Sequence, residues 1–169
     1  MGKKVLVAYA TKYGATAEIA ERISQVLCQK GLDIDVLSFG LISNLTQYDA
    51  VIIGSASYIG QWRKEAVKFL KSNEKWLSER PVWLFSSGPT GEGEPVQLTK
   101  GWRFPKSQQS TIDRIQPRDV AVFHGMIDTE KLNFFEKMIL RIVKPSVGDF
   151  RDWNAITAWA EAIASELKE

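Results

Sequence analysis

The chain has 169 residues, 44% of them hydrophobic and 25% charged, with a net charge of +2. That is the size and composition of one ordinary globular domain with a full core. A single Cys28 excludes an internal disulfide, so a disulfide-stapled secreted module is excluded and a reducing cytoplasm is the default. The opening MGKKVLVAYA has no small-residue cleavage pattern, and its apolar run is too short for a signal peptide or a membrane span. The expectation is one cytoplasmic domain over residues 1–169.

Residues 4–10 read as a buried strand, with Val5, Leu6, Val7 and Ala8 continuous. The strand runs directly into Thr11-Lys12-Tyr13-Gly14-Ala15-Thr16, and a helical pattern follows over 15–30. This junction has the chemistry of a phosphate cradle. Hydroxyls at Thr11 and Thr16 can donate to phosphate oxygens, and Gly14 lets the backbone approach closely. The helix aims its unsatisfied N–H groups and positive dipole end at the same place. The string lacks GxxxxGK[ST] and GxGxxG, and no carboxylate stands where a phospho-accepting receiver would need one. Lys12 is the loop's one charge. In the helix, Ile19, Ala20, Ile23, Val26 and Leu27 make the apolar face, Cys28 reads as packing filler, and Gly31 ends the run.

A second strand is expected over 33–39, an irregular piece over 41–46 and a third, fully apolar strand over 48–54. A helix follows over 61–78, then Pro81 and a fourth strand over 82–85. A fifth strand spans 119–124, and the last helix runs from Trp153 to Leu167. Continuous apolar strands alternating with amphipathic helices give an α/β fold. The expected sheet is doubly wound, parallel and five-stranded, in order 2-1-3-4-5 within three α/β/α layers, with its switch point between strands 1 and 3. Residues 87–118 and 125–152 are longer than ordinary connections, which marks them as functional or mobile.

The loops after strands 3 and 4 should complete the pocket. Ser55, Ser57, Tyr58, Ile59 and Gly60 come from the first, and Ser87, Gly88, Thr90 and Gly91 from the second. Small residues let backbone groups reach the edge of a flat heteroaromatic ring, and Tyr58, or else Trp62, can stack on its face. His124, the single histidine, reads as a satisfied strand-end residue. There is no metal motif, no convincing carboxylate pair and no basic stripe for nucleic acid.

Residues 100–151 hold ten Lys or Arg against six Asp or Glu, hence +4, which leaves −2 for the rest. Within them, 130–144 is a helix apolar well beyond one stripe, ringed by Lys131, Lys137, Arg141 and Lys144. The first expectation is a core-covering helix with snorkelling basic side chains. The alternatives are a peripheral contact with the inner face of a membrane and a homodimer face.

These motifs resemble the flavodoxin-like family, whose phosphate loop has the form T-x-T-G-x-T. Thr11, Gly14 and Thr16 match it, and Tyr13 replaces the central Thr. The resemblance implies FMN, whose phosphate the loop would hold and whose reduced N5 a reoriented peptide at Gly60 would contact. IGSASYIGQWRKEAVKFL, the Phe134–Val143 helix and Asp152-Trp153 resemble one branch, the menaquinone-dependent protoporphyrinogen dehydrogenases and related flavodoxin domains. SGPTGEGEP is more glycine-rich and acidic than that branch. The resemblance implies an oxidoreductase that passes electrons from a small reduced substrate to a quinone, with the flavin and not a catalytic side chain as the reactive group. The alternatives are an electron carrier between protein partners and a flavin-free interaction module. A near-neutral charge fits a carrier less well, since acidic carriers dock on basic partners.

Overall fold

The computed structural model of the protein describes residues 2–169. Strand β1 (Lys4–Ala10) leads into helix α1 (Ala15–Gln29), followed by β2 (Asp33–Ser38) and β3 (Ala50–Tyr58). A two-residue strand β4 (Gln61–Trp62) precedes α2 (Lys64–Ser72), α3 (Glu74–Ser78) and β5 (Val82–Ser87). The long connection then holds α4 (Pro95–Leu98) and α5 (Gln109–Ile115) before β6 (Asp119–Phe123). A second insertion carries β7 (Met126–Ile127), α6 (Phe134–Val143) and β8 (Gly148–Asp149), and α7 (Trp153–Lys168) ends the fold.

The main sheet is ordered β2-β1-β3-β5-β6, with β4 folded back on β3. Its five long strands pair in parallel throughout, so the expected doubly wound order holds once the short β4 is set aside. Alternation along β1 divides the core. Val5 and Val7 meet α1 and α7 on one face, while Leu6 and Ala8 meet α2, α3 and α5 on the other. Both faces are covered, which is why these strands are apolar without a break.

Several boundaries differ from the sequence-based expectation. β3 starts at Ala50 and continues through Tyr58. Its last small residues still pair, Ser55 with Ala10 and Ser86, and Ala56 with Ser87. The helix expected over 61–78 is instead β4, α2 and α3, because Gln61 and Trp62 pair with Tyr58 and Ser57. Asn73 separates the two helices, its side-chain amide donating to the Phe69 carbonyl at 2.9 Å. α5 lies within a stretch expected as an open connection; its Ile112 and Ile115 enter the core. Cys28 is exposed, not packed: it lies next to Leu27 on the helix circumference, about 100° beyond the buried stripe. His124 is not satisfied either, since its Nε2 is buried without a hydrogen-bond partner.

The largest correction concerns α6. Phe134, Phe135, Ile142 and Val143 are all exposed, at 64–79% of their full accessibility. The helix does not bury its apolar stripe in the core. Its one fully buried residue is Glu136.

Candidate functional site

A cleft of about 900 Å³, open mouth included, lies at the carboxyl ends of β1, β3 and β5. One wall is the loop after β1, contributing Thr11, Lys12, Tyr13, Ala15 and Thr16. Another is the end of β3 and β5, with Ser57, Tyr58, Ser87 and Gly88. Nine of the fifteen sequence-predicted residues therefore line one cleft. The other six stand around it. Gly14 is the left-handed residue at φ 97° that turns the chain into α1. Ser55 is buried and tied down, donating to the Ala56 carbonyl at 2.9 Å and accepting from the Arg63 amide at 3.0 Å. Ile59 and Gly60 form the two-residue turn between β3 and β4, both at positive φ. That conformation suits glycine and strains a β-branched residue. Thr90 and Gly91 lie outside the lining, Gly91 facing Ser146. Trp62, the alternative stacking residue, is buried, its indole N–H donating to Ser86 Oγ at 2.8 Å.

The polar groups of the cleft divide into used and unused. Thr11 Oγ1 accepts from the Gly14 amide at 3.0 Å, which shapes the loop. α1 has no side-chain cap, so its first N–H groups stay available. Thr16 and Ser87 are 1% and 2% exposed and line the cleft. Among the described residues, neither hydroxyl has a hydrogen-bond partner, whereas the equally buried Ser55 and Ser86 both do. Arg63 also lines the cleft, with its Nε buried and unpartnered. Buried polar groups are normally paired, which leaves Arg63 Nε the orphan of this set, while the two hydroxyls open onto the cleft. Two hydroxyls, a guanidinium N–H and an open helix N-terminus around one cleft fit a ligand with an anionic, oxygen-rich end.

The third wall was not anticipated. Gly125, Met126 and Ile127 follow β6, and Lys131, Leu132, Glu136 and Leu140 come from around α6. Three loops stack backbone on backbone here: a Cβ on Gly88 would come 2.8 Å from the Ser57 carbonyl, and one on Gly125 would come 2.9 Å from Gly88 Cα. The insertion is pinned at its base. β7 pairs antiparallel with β8, and the guanidinium of Arg151, 5% exposed, reaches Asp149 at 2.8 Å and Glu18 at 2.7 Å.

The tip of the insertion is joined to the first loop. Glu136 accepts from Lys12 Nζ at 2.5 Å, from Asn133 Nδ2 at 3.0 Å and from the Tyr13 hydroxyl. Burial opposes its ionisation, but the bonds from Lys12 and Tyr13 outweigh it, and its carboxyl lies below the usual range. The same contact raises Lys12. Burial, then the bond to Glu136, raises the Tyr13 phenol. Lys12 also sits 5.4 Å from the ring centres of both Tyr13 and Tyr58. One signal was readable in advance: Asn133-x-x-Glu136 has capping-box spacing. Asn133 Oδ1 does accept from the Glu136 amide at 2.9 Å.

Comparison with known proteins bears on the family and the fold. Protoporphyrinogen IX dehydrogenase [quinone] of Escherichia coli K12 is 22% identical over 172 residues, spanning 95% of this chain and 94% of that protein. The protein of that name from Leishmania major is 23% identical, over 96% and 75% of the two chains. Among solved structures, a flavodoxin from the domain Archaea superposes with a TM-score of 0.63 at 15% identity, over 98% and 99% of the two chains. Oxidised flavodoxin 2 from Bacillus cereus gives 0.63 at 20% identity, over 96% and 99%. The family model described as a flavodoxin domain matches residues 6–153, and the chain belongs to the flavodoxin-domain family, whose members bind flavin.

Proposed function

We propose that the protein is an FMN-dependent oxidoreductase of the protoporphyrinogen–quinone kind. The observation that carries the cofactor is the unpartnered polar set of the cleft. Thr16, Lys12 and the N–H groups of α1 would hold the phosphate. Tyr58 would cover a ring face, and Ser57, Ser87 and Gly88 would meet the ring edge through small side chains and backbone. FMN supplies the electron-accepting chemistry when bound. The chain's part is to orient it and exclude water.

Support for an enzyme over a carrier comes from the third wall. Met126, Ile127, Leu132 and Leu140 make one side of the cleft apolar, which suits a hydrophobic small substrate or a quinone beside the ring. The low-identity dehydrogenases point the same way. The exposed apolar face of α6, with its four flanking cations, supports a meeting with the acceptor at a membrane surface.

Titration of the purified protein with FMN, followed by quenching of flavin fluorescence, tests the cofactor. Thr16→Val keeps the shape and removes one hydroxyl, and should weaken FMN by roughly 1.5–3 kcal/mol, the worth of a hydrogen bond to a charged group. Unchanged affinity would reject the phosphate assignment. Stopped-flow reoxidation then separates the two functions. The enzyme reading expects much faster transfer to a menaquinone analogue than to a protein acceptor, and the reverse order would establish the carrier.

A further inference from the structure

α6 is held to the body of the protein in an unusual way. Five of its bulky apolar side chains face solvent, and its buried residue is a carboxylate. That carboxylate rests on Lys12 and Tyr13 of the phosphate loop. Glu136 and Thr16 line the same cleft, so the side chain of α6 and the phosphate of a ligand draw on the same small set of donors. Lys12 is the loop's one cation. A carboxylate and a phosphate dianion competing for it repel one another, the carboxylate being buried and the lysine exposed.

We propose that Glu136 is an internal anion seated on the phosphate loop, and that loading a flavin phosphate displaces it and unlatches α6. The inference rests on the FMN reading. The displacement is local. β7, β8 and Arg151 pin the base of the insertion, and Glu136 clasps its tip, so release of one side chain frees α6 without unfolding the sheet. Lys131 adds only a long bond of 3.4 Å to the Tyr13 carbonyl. The shift of Lys12 and Tyr13 toward their protonated forms keeps both as donors while the clasp is closed. FMN and riboflavin share the ring and the ribityl chain and differ only in the phosphate, so they isolate the competition.

The test measures both affinities for the wild type and for Glu136→Gln, with hydrogen exchange of residues 131–143 in the full chain. Glu136→Gln should bind FMN roughly tenfold more tightly, as removal of one like charge beside a dianion predicts. Riboflavin affinity should change by less than about twofold. FMN, and not riboflavin, should speed exchange across 131–143 in the wild type, and ligand-free Glu136→Gln should already exchange fast there. Weaker FMN binding by Glu136→Gln, equal changes for both flavins, or protection of 131–143 by FMN would each overturn the clasp. If neither flavin binds either form, the cofactor reading falls and the displacement falls with it. Flavin binding with no phosphate-dependent effect of Glu136→Gln removes the clasp alone.

Discussion

Two phenols show how one residue type is used for different ends. Tyr13 serves the cleft. Tyr48, 4% exposed, serves the fold: its hydroxyl donates to Asp35 Oδ2 at 2.6 Å, beside Lys4 at 3.2 Å from the same oxygen. Burial, then the bond to Asp35, pushes the Tyr48 phenol up to about 12. The hydrogen bond from Tyr48 holds Asp35 below its ordinary value. The signs follow. The phenol's contribution is complete below about pH 10 and disappears as pH rises through about 12. The carboxylate's contribution is complete above its unfolded value and fades as pH falls through its lower folded one. Asp35 is one-third exposed, so solvent screens the pair. Tyr48→Phe should cost roughly 1 kcal/mol by urea denaturation at pH 7, and the wild-type advantage should vanish above pH 12. At this scale the site was only half legible. Hydroxyls, glycine and lysine next to a strand end announce a phosphate loop locally. Glu136 reaches it from a distant part of the chain, and Arg63, just past the 55–60 loop, falls in a stretch that reads as a helix over 61–78.

Among the elements, β3 and β5 show how a glycine fixes a register. Gly54 stands opposite Phe85, and a Cβ there would lie 1.9 Å from the ring. The ring cannot swing clear, because it packs against Phe123 at 5.8 Å and Trp159 at 6.0 Å. Gly54→Ala should therefore destabilise the protein by roughly 1–3 kcal/mol, the usual cost of overpacking. Adding Phe85→Leu should recover part of that loss in the same denaturation assay, since it removes the obstructing atoms. Gly54 also illustrates what the sequence conveyed. The long strands and the two end helices were legible because uninterrupted apolar runs and helical periodicity report burial directly. α1 and α7 fall within a residue or so of expectation. β4 and α5 were not legible, for they are short and take their form from what they pair with or pack against. The exposure of α6 was hidden for the converse reason: periodicity shows that a face is apolar, not that something covers it.

On the scale of the whole molecule, charge and apolar exposure coincide. The uncovered Phe134, Phe135, Ile142 and Val143 belong to a stretch, residues 100–151, whose net charge is +4. Among the described residues no helix is long and apolar enough to cross a membrane; the reading proposed above is a contact of α6 with an anionic membrane surface. Under that reading, binding to anionic vesicles should exceed binding to neutral ones and should weaken as salt shortens the Debye length below about 8 Å. Lys137→Glu with Arg141→Glu should abolish the preference while FMN stays bound. Salt-insensitive self-association in sedimentation, with no vesicle binding, would assign the face to a second copy of the chain.

The exposed thiol of Cys28 has a practical corollary. It is the sole cysteine of the sequence, and it rides on the helix that begins at the phosphate loop. Thirteen helical steps separate it from Ala15, roughly 20 Å at 1.5 Å per residue. A maleimide dye placed there would stand at one set spacing from a flavin bound as proposed, a built-in molecular ruler. The same sulfur on a gold electrode would tether every molecule in one orientation, its cleft held off the metal by the length of a single rigid helix.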